Sequence, residues 1–313
     1  MISKTNLTID TMLTGTTREL EGGSVFLPRV EAERILTEAT GLSSLELRFE
    51  RQRILTEAEV AFVERVVAER VTGKPLQYIL GHQHFRMLDL ACREGVLIPR
   101  PETELVVDAV LVELTQCSIR KALHASHEHE QYDGAWAQDE LAKRPIVVDI
   151  GCGTGAIALS IAAECPQADV YATDISDQAL SLIRENAEIA GVKDRVTIIK
   201  SDLFGALDAL KGRVNVIVSN PPYIPTDDLA TLQREVLREP RLALDGGDDG
   251  LDFYRAIVGR AGEFLMSGGC IVFEIGFDQG PAVAALLATA GFSDVAVLKD
   301  FQVHDRIVIA RGG

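Results

Sequence analysis

Asn220, Pro221, Pro222 and Tyr223 follow directly on residues 214–219, an apolar run rich in valine that reads as a buried strand. Two successive prolines remove two backbone donors and stiffen the turn. The amide oxygen of Asn220 and the carbonyl of Pro221 can then face one point as paired acceptors. An NH2 group on a planar carbon, placed at that point, gives both hydrogens to them and leaves its lone pair for an electrophilic methyl carbon. The ring of Tyr223 can stack on the planar group. This is catalysis by positioning and electrostatics, without a strong base. A proline-rich loop for partner recognition is the plainer reading. It ranks low because the segment leaves a buried strand and lies downstream of a nucleoside-type pocket. The tetrapeptide suits methylation of a planar amino nitrogen and does not separate a glutamine amide from an adenine amine.

The pocket is legible in three strand ends. The first strand, 146–150, runs into Gly151-Cys152-Gly153-Thr154-Gly155 and then a helix. Glycines at that spacing let the chain turn sharply and approach a ligand closely. The spacing differs from the G-x-G-x-x-G of dinucleotide binders and is a weak signal alone. The second strand ends at Asp174, which can accept from both hydroxyls of a ribose. A helix-capping role is the competing reading, but Ser176 already supplies a cap. The third ends at Asp202, placed to accept from an adenine amino group, with Leu203 and Phe204 to cover its ring. Three such features at three successive strand ends make a nucleoside pocket.

The elements that must hold these residues follow from periodicity. Strands are expected at 146–150, 169–173, 196–199, 214–219, 270–275, 295–298 and 307–310, and helices at 156–164, 176–190, 251–266 and 281–290. Alternating strands and helices predict a parallel sheet covered on both faces. The last two strands are joined too tightly for a helical crossover and should pair antiparallel. Upstream, residues 1–24 read as a loose lead and 25–80 as a small helical domain. In that domain Thr56 and Glu59 form a capping box ahead of a valine stripe. The division expected is 1–80 helical, 81–100 a hairpin-like linker, and 101–313 the α/β domain, with a helix from Pro101 to about Thr115. Residues 117–144 read as a loop insertion. They carry His124, His127 and His129 among acids, but no periodic framework orients those rings, so a solvated loop is preferred to a metal site.

Composition narrows the class. The chain has 313 residues, 47% of them hydrophobic, enough for more than one core. Its net charge of −16 repels polyphosphate and disfavours a nucleic-acid partner held by general electrostatics. No apolar run reaches membrane-spanning length and the amino terminus lacks a secretory layout. Five widely spaced cysteines without a C-x-x-C pair indicate neither a disulfide framework nor a zinc site. A reduced, cytoplasmic protein is the expectation.

Beyond these readings, the chain resembles the HemK/PrmC family of release-factor glutamine N5-methyltransferases from about Pro28 onward. The resemblance is carried by residues 70–81 (R-V-T-G-K-P-L-Q-Y-I-L-G), by 97–104 (L-I-P-R-P-E-T-E), and by the glycine turn and Asn220 to Tyr223. Glu239-Pro240, residues 246–251, Phe273 to Gly276 and Asp305-Arg306 continue it. It implies a seven-stranded, Rossmann-like class I methyltransferase sheet behind a helical substrate-recognition domain. It implies S-adenosylmethionine as methyl donor and the Gly-Gly-Gln loop of class I release factors as acceptor. Residues Gly151, Cys152, Gly153, Thr154, Gly155, Asp174, Asp202, Leu203, Phe204 and Asn220 are then expected at the donor. Asn220, Pro221, Pro222 and Tyr223 are expected at the glutamine side chain, and Arg100 and Glu104 at the pocket entrance. The sequence departs from the family at Cys152 for a common threonine, at Val303 for a frequent glycine, and in the length of 117–144. The other readings are an adenine-N6 nucleic-acid methyltransferase, a ribosomal-protein glutamine methyltransferase, and a binding protein that kept the fold without the activity.

Overall fold

A computed structural model describes residues 7–128 and 144–312 of the chain, which divide into two compact units. One unit comprises the chain up to Gly81 together with Leu232–Arg238. It contains helices α1 (Ile9–Gly22), α2 (Pro28–Thr40), α3 (Ser44–Phe49), α4 (Glu57–Arg70) and α5 (Leu76–Leu80). The expected capping box opens α4: Thr56 Oγ1 accepts from Glu59 N, and the Glu59 carboxylate accepts from Thr56 N. Ile35, Leu36, Val63, Val66 and Val67 form its core with Ile9, Leu13 and Leu20.

Those last three residues overturn the reading of 1–24 as a loose lead. Ile9, Leu13, Thr16 and Leu20 are buried along one face of α1, and Thr8 and Thr11 cap it reciprocally. The helix was hidden because Thr11 does the work usually done by Glu or Gln, and because Gly15 and four threonines lower helix propensity along it.

The second unit comprises His82–Thr231 and Glu239–Gly313. It opens with an antiparallel hairpin, β1 (His82–Phe85) and β2 (Leu88–Ala91), followed by α6 (Glu104–Glu128). The helix continues past Thr115 into the segment read as irregular, so that His124 and His127 fall on its last turns; His129 lies outside the described residues. Then come β3 (Ile146–Ile150), α7 (Ala156–Glu164), β4 (Asp169–Asp174), α8 (Asp177–Ile189), β5 (Val196–Lys200) and β6 (Val214–Ser219). The chain closes with α9 (Asp252–Phe264), β7 (Leu265–Glu274), α10 (Gly280–Thr289), β8 (Ser293–Lys299) and β9 (Asp305–Arg311).

Seven strands form one sheet in the order β5-β4-β3-β6-β7-β9-β8. All neighbours are parallel except β9, which runs antiparallel to both β7 and β8, as the short connection requires. Side chains alternate between two cores. Val147, Val170, Ala172, Val216, Val218 and Val272 face α6, α7 and α8. Ile146, Val148, Ile150, Ile217, Ile271 and Phe273 face α9 and α10. The order reverses between β3 and β6, which puts a crevice at the carboxyl ends of these strands.

Candidate active site

That crevice is a cavity of about 340 Å³ at the carboxyl ends of β3, β4, β5 and β6, closed on one side by residues 95–100 and Thr103. The glycine turn is held from below and from the side. Gly151 N and Cys152 N both donate to the Thr173 carbonyl at 2.9 Å, and Gly153 N donates to Asp174 Oδ2 at 2.9 Å. Gly151, Gly153 and Gly155 all adopt positive φ, which a side chain would strain. Gly151, Cys152, Gly153 and Thr154 line the cavity; Gly155 does not. A Cβ at Gly155 would stand 2.5 Å from Ile183, so this glycine lets α7 start tight against α8. Cys152 is buried, and burial pushes its thiol up, which leaves it a neutral wall rather than a nucleophile.

Asp174, Asp202 and Leu203 also line the cavity. Besides Gly153 N, Asp174 accepts from Ser176 N at 2.8 Å, one backbone donor per carboxylate oxygen. Each oxygen keeps a further lone pair for a ligand. Ser176 caps α8 as expected. Phe204 departs from the expected arrangement. It is 1% exposed and stacks on Phe264 with ring centroids 4.5 Å apart, inside the core beneath α9. Leu203, at φ +46°, turns the chain so that Phe204 points inward while Leu203 stays at the cavity.

The tetrapeptide divides in a similar way. Asn220, Pro221 and Pro222 line the cavity, whereas the Tyr223 ring packs against the core facing α9 and α10. Burial pushes the Tyr223 phenol up to about 12. The Tyr223 carbonyl accepts from Gln279 Nε2 at 2.9 Å, and the same Nε2 donates to the Gly250 carbonyl at 3.3 Å while Gln279 Oε1 accepts from Gly276 N at 3.0 Å. A Cβ at Gly250, whose φ is +73°, would stand 2.3 Å from the Tyr223 carbonyl oxygen. The glycine-rich stretch 246–251 is thus a seat for the backbone of Tyr223.

Arg100 lines the cavity and pairs with Glu239, which is 5% exposed and also accepts from Ile98 N at 3.0 Å. Glu104 does not reach the cavity; its carboxylate is taken by Arg86 N at 2.9 Å, under the β1–β2 hairpin. Sequence reasoning gave no role to Glu239, Gln279, Thr103 or Glu274. The signal was present for three of them, since they lie in the stretches 97–104, 239–240 and 273–276, but a buried polar residue whose partner is 139 or 171 positions away leaves no local pattern. Glu274 is 1% exposed, accepts from Thr103 Oγ1 at 2.6 Å, and burial pushes it up to about 7. Asp149, also fully buried, accepts from Ala158 N at 3.1 Å and is likewise pushed up to about 7 by burial.

A seven-stranded sheet with its last strand antiparallel, and a ligand-sized cavity bounded by a glycine turn, an acid and an Asn-Pro-Pro-Tyr segment, define a methyltransferase of the Rossmann-like type. Residues 137–275 match the family model of the methyltransferase small domain, and residues 11–81 match that of the PrmC N-terminal domain. The catalytic domain of hMettl16, solved in complex with an RNA hairpin, aligns with a TM-score of 0.55 over 78% of this chain and 81% of that one. At 14% identity it bears on the fold alone. The chain is 41% identical to the release factor glutamine methyltransferase of Moorella thermoacetica, covering 94% of each chain, and 36% identical to that of Agrobacterium fabrum, covering 97% of each. It belongs to the release factor glutamine methyltransferase family. No helix among the described residues is long and apolar enough to cross a membrane.

Proposed function

We propose that this enzyme transfers a methyl group from S-adenosylmethionine to the side-chain amide nitrogen, N5, of the glutamine in the Gly-Gly-Gln motif of class I translation release factors, in the cytoplasm. The observation that carries the reading is that Asn220 and Pro221 share one cavity with Asp174 and the glycine turn, so acceptors for an NH2 group and acceptors for a nucleoside open on the same space. The relatives named above are release factor glutamine methyltransferases, which favours the glutamine over an adenine.

The residues present fit the donor. Asp174 retains lone pairs for a ribose diol, Ile175 and Leu203 offer apolar walls for a flat base, and Asp202 stands beside them for its amino group. When bound, S-adenosylmethionine supplies a methyl carbon made electrophilic by its sulfonium. The protein's part is played on the other reactant. A carboxamide nitrogen is a poor nucleophile because its lone pair is delocalised into the carbonyl. Asn220 Oδ1 and the Pro221 carbonyl, accepting one hydrogen each, hold the NH2 group in place and stabilise the positive charge that grows on nitrogen as that delocalisation is lost. The proton released when the N–C bond forms leaves through the same acceptors to water. The helical unit, with its PrmC N-terminal match, is assigned to recognition of the protein substrate.

The test is incubation with a release factor and methyl-labelled S-adenosylmethionine. Label should appear on the factor, map to the glutamine by mass spectrometry, and vanish when that glutamine is replaced. No label on the wild-type factor, or equal label after replacement, rejects the reading. Label on DNA or RNA alone assigns the adenine chemistry instead, and label on a ribosomal protein in preference to the factor assigns the sibling substrate.

A further inference from the structure

Asn220 has a choice that its own chemistry does not settle. A side-chain amide presents an acceptor at one end and a double donor at the other, and a half-turn about its terminal bond exchanges them. With Oδ1 toward the cavity, Asn220 receives an NH2 group. With Nδ2 toward the cavity it repels one. Among the described residues Asn220 makes a single side-chain hydrogen bond, from Nδ2 to Thr103 Oγ1 at 3.3 Å. By itself that bond does not fix the amide, because a threonine hydroxyl can donate to Oδ1 as readily as it accepts from Nδ2.

The next link removes the ambiguity. While Glu274 is ionised, the one hydroxyl proton of Thr103 is committed to Glu274 Oε2 at 2.6 Å, a contact buried on both sides. A hydroxyl that has given its proton to a carboxylate has only acceptor capacity left. Toward Asn220 it can only receive, so Nδ2 must point at Thr103 and Oδ1 must point away. Glu274 is fixed in turn at the end of β7, where Tyr254 Oη donates to its carbonyl at 2.8 Å. The relay connects three stretches far apart in the sequence: the junction 97–104, the Asn-Pro-Pro-Tyr turn, and 273–276.

We infer that Thr103 and Glu274 are positioning residues, which set the polarity of the Asn220 amide and thereby select an amide NH2 over a carboxylate in the methyl-acceptor site. The inference rests on the reading of Asn220 as the acceptor for the substrate nitrogen.

The test uses the full chain, a class I release factor as substrate, and the same factor with its Gly-Gly-Gln glutamine changed to glutamate as inhibitor. Thr103→Val keeps the side-chain shape and removes the hydroxyl, so the amide is free to turn. It should lower kcat roughly 10- to 100-fold with the KM for S-adenosylmethionine held within about threefold. It should also improve inhibition by the glutamate factor relative to the KM of the glutamine factor, because a turned Asn220 offers donors to a carboxylate. Thr103→Ser keeps the hydroxyl and should restore turnover and preference together. A loss of stability alone would not move that preference. Thr103→Val with wild-type kcat and preference, or Thr103→Val and Thr103→Ser behaving alike, overturns the relay. Should Thr103→Val not fold, Glu274→Gln carries the test. An amide there can donate as well as accept, so polarity is no longer dictated and kcat should fall; unchanged kcat and preference overturn the relay. Asn220→Ala run alongside separates the two levels. If it collapses turnover while the Thr103 and Glu274 variants do not, the relay alone falls. If Asn220→Ala is fully active, the reading beneath it falls first.

Discussion

Asn220 reaches the cavity with one end of its amide tied to Thr103 and the other available to a ligand. An acceptor used chiefly while charge develops on the substrate nitrogen contributes to the transition state more than to binding. Asn220→Ala should therefore lower kcat on the order of 100- to 1,000-fold, the range seen when one preorganised hydrogen-bonding group is removed from an active site. The dissociation constant for S-adenosylmethionine, measured by calorimetry, should change by no more than a few-fold. A parallel loss in both would show that Asn220 chiefly shapes the donor pocket. At this scale residue type and spacing in the sequence pointed to residues that line one cavity: Gly151, Gly153, Asp174, Asp202, Leu203, Asn220 and Pro221. It failed where direction mattered. Phe204, Tyr223 and Glu104 are close in sequence to residues that line the cavity, but a left-handed turn at Leu203, a core contact and the amide of Arg86 send them elsewhere. Sequence adjacency does not encode such turns.

Between elements, the Asn-Pro-Pro-Tyr turn is held by contacts that no local pattern announces. Gln279, 8% exposed and just ahead of α10, ties together Gly276, Gly250 and the carbonyl of Tyr223. Gln279→Leu would strip hydrogen bonds from three backbone groups and should cost about 2–3 kcal/mol in unfolding free energy. Urea denaturation measures this, and kcat should fall as well because Tyr223 continues the Asn220 turn. In the helical unit, Arg70 is 3% exposed and donates to Glu31 at 2.7 and 3.0 Å, to Glu235 at 3.1 Å and to the Lys74 carbonyl at 3.3 Å. Arg70→Met leaves two carboxylates without their cation and should destabilise the protein by about 3 kcal/mol; removing both acids along with the arginine should recover part of that. The helices and strands themselves were legible wherever one face is clearly apolar. The exceptions are instructive: α1 was masked by threonines and a glycine, and α6 by a polar composition that gives no stripe past Thr115. The ion pair between Arg70 and Glu235 is also one the sequence hides, since the two lie 165 positions apart.

Across the whole molecule, two effects of acid push in the same direction and can be separated. The chain carries a net charge of −16, so self-repulsion weakens as pH falls. Independently, Asp149 and Glu274 are buried and both are pushed up to about 7, mainly by loss of hydration. A carboxyl whose folded-state value is raised binds protons more tightly in the folded protein than in the unfolded chain. Its contribution to stability is complete at low pH and is lost as pH rises through the folded-state value. Between about pH 6 and about pH 8 each group should cost on the order of 1 kcal/mol, together a fall in melting temperature on the order of 5 °C. Salt discriminates between the causes. Repulsion among surface charges is screened at about 0.5 M salt, whereas groups without contact with solvent are not. The fall in melting temperature from about pH 6 to about pH 8 should therefore persist in high salt, and Asp149→Asn or Glu274→Gln should each flatten it. A slope that salt abolishes and these two variants leave alone would place the effect on the surface charge and not in the two carboxyls beneath the active site.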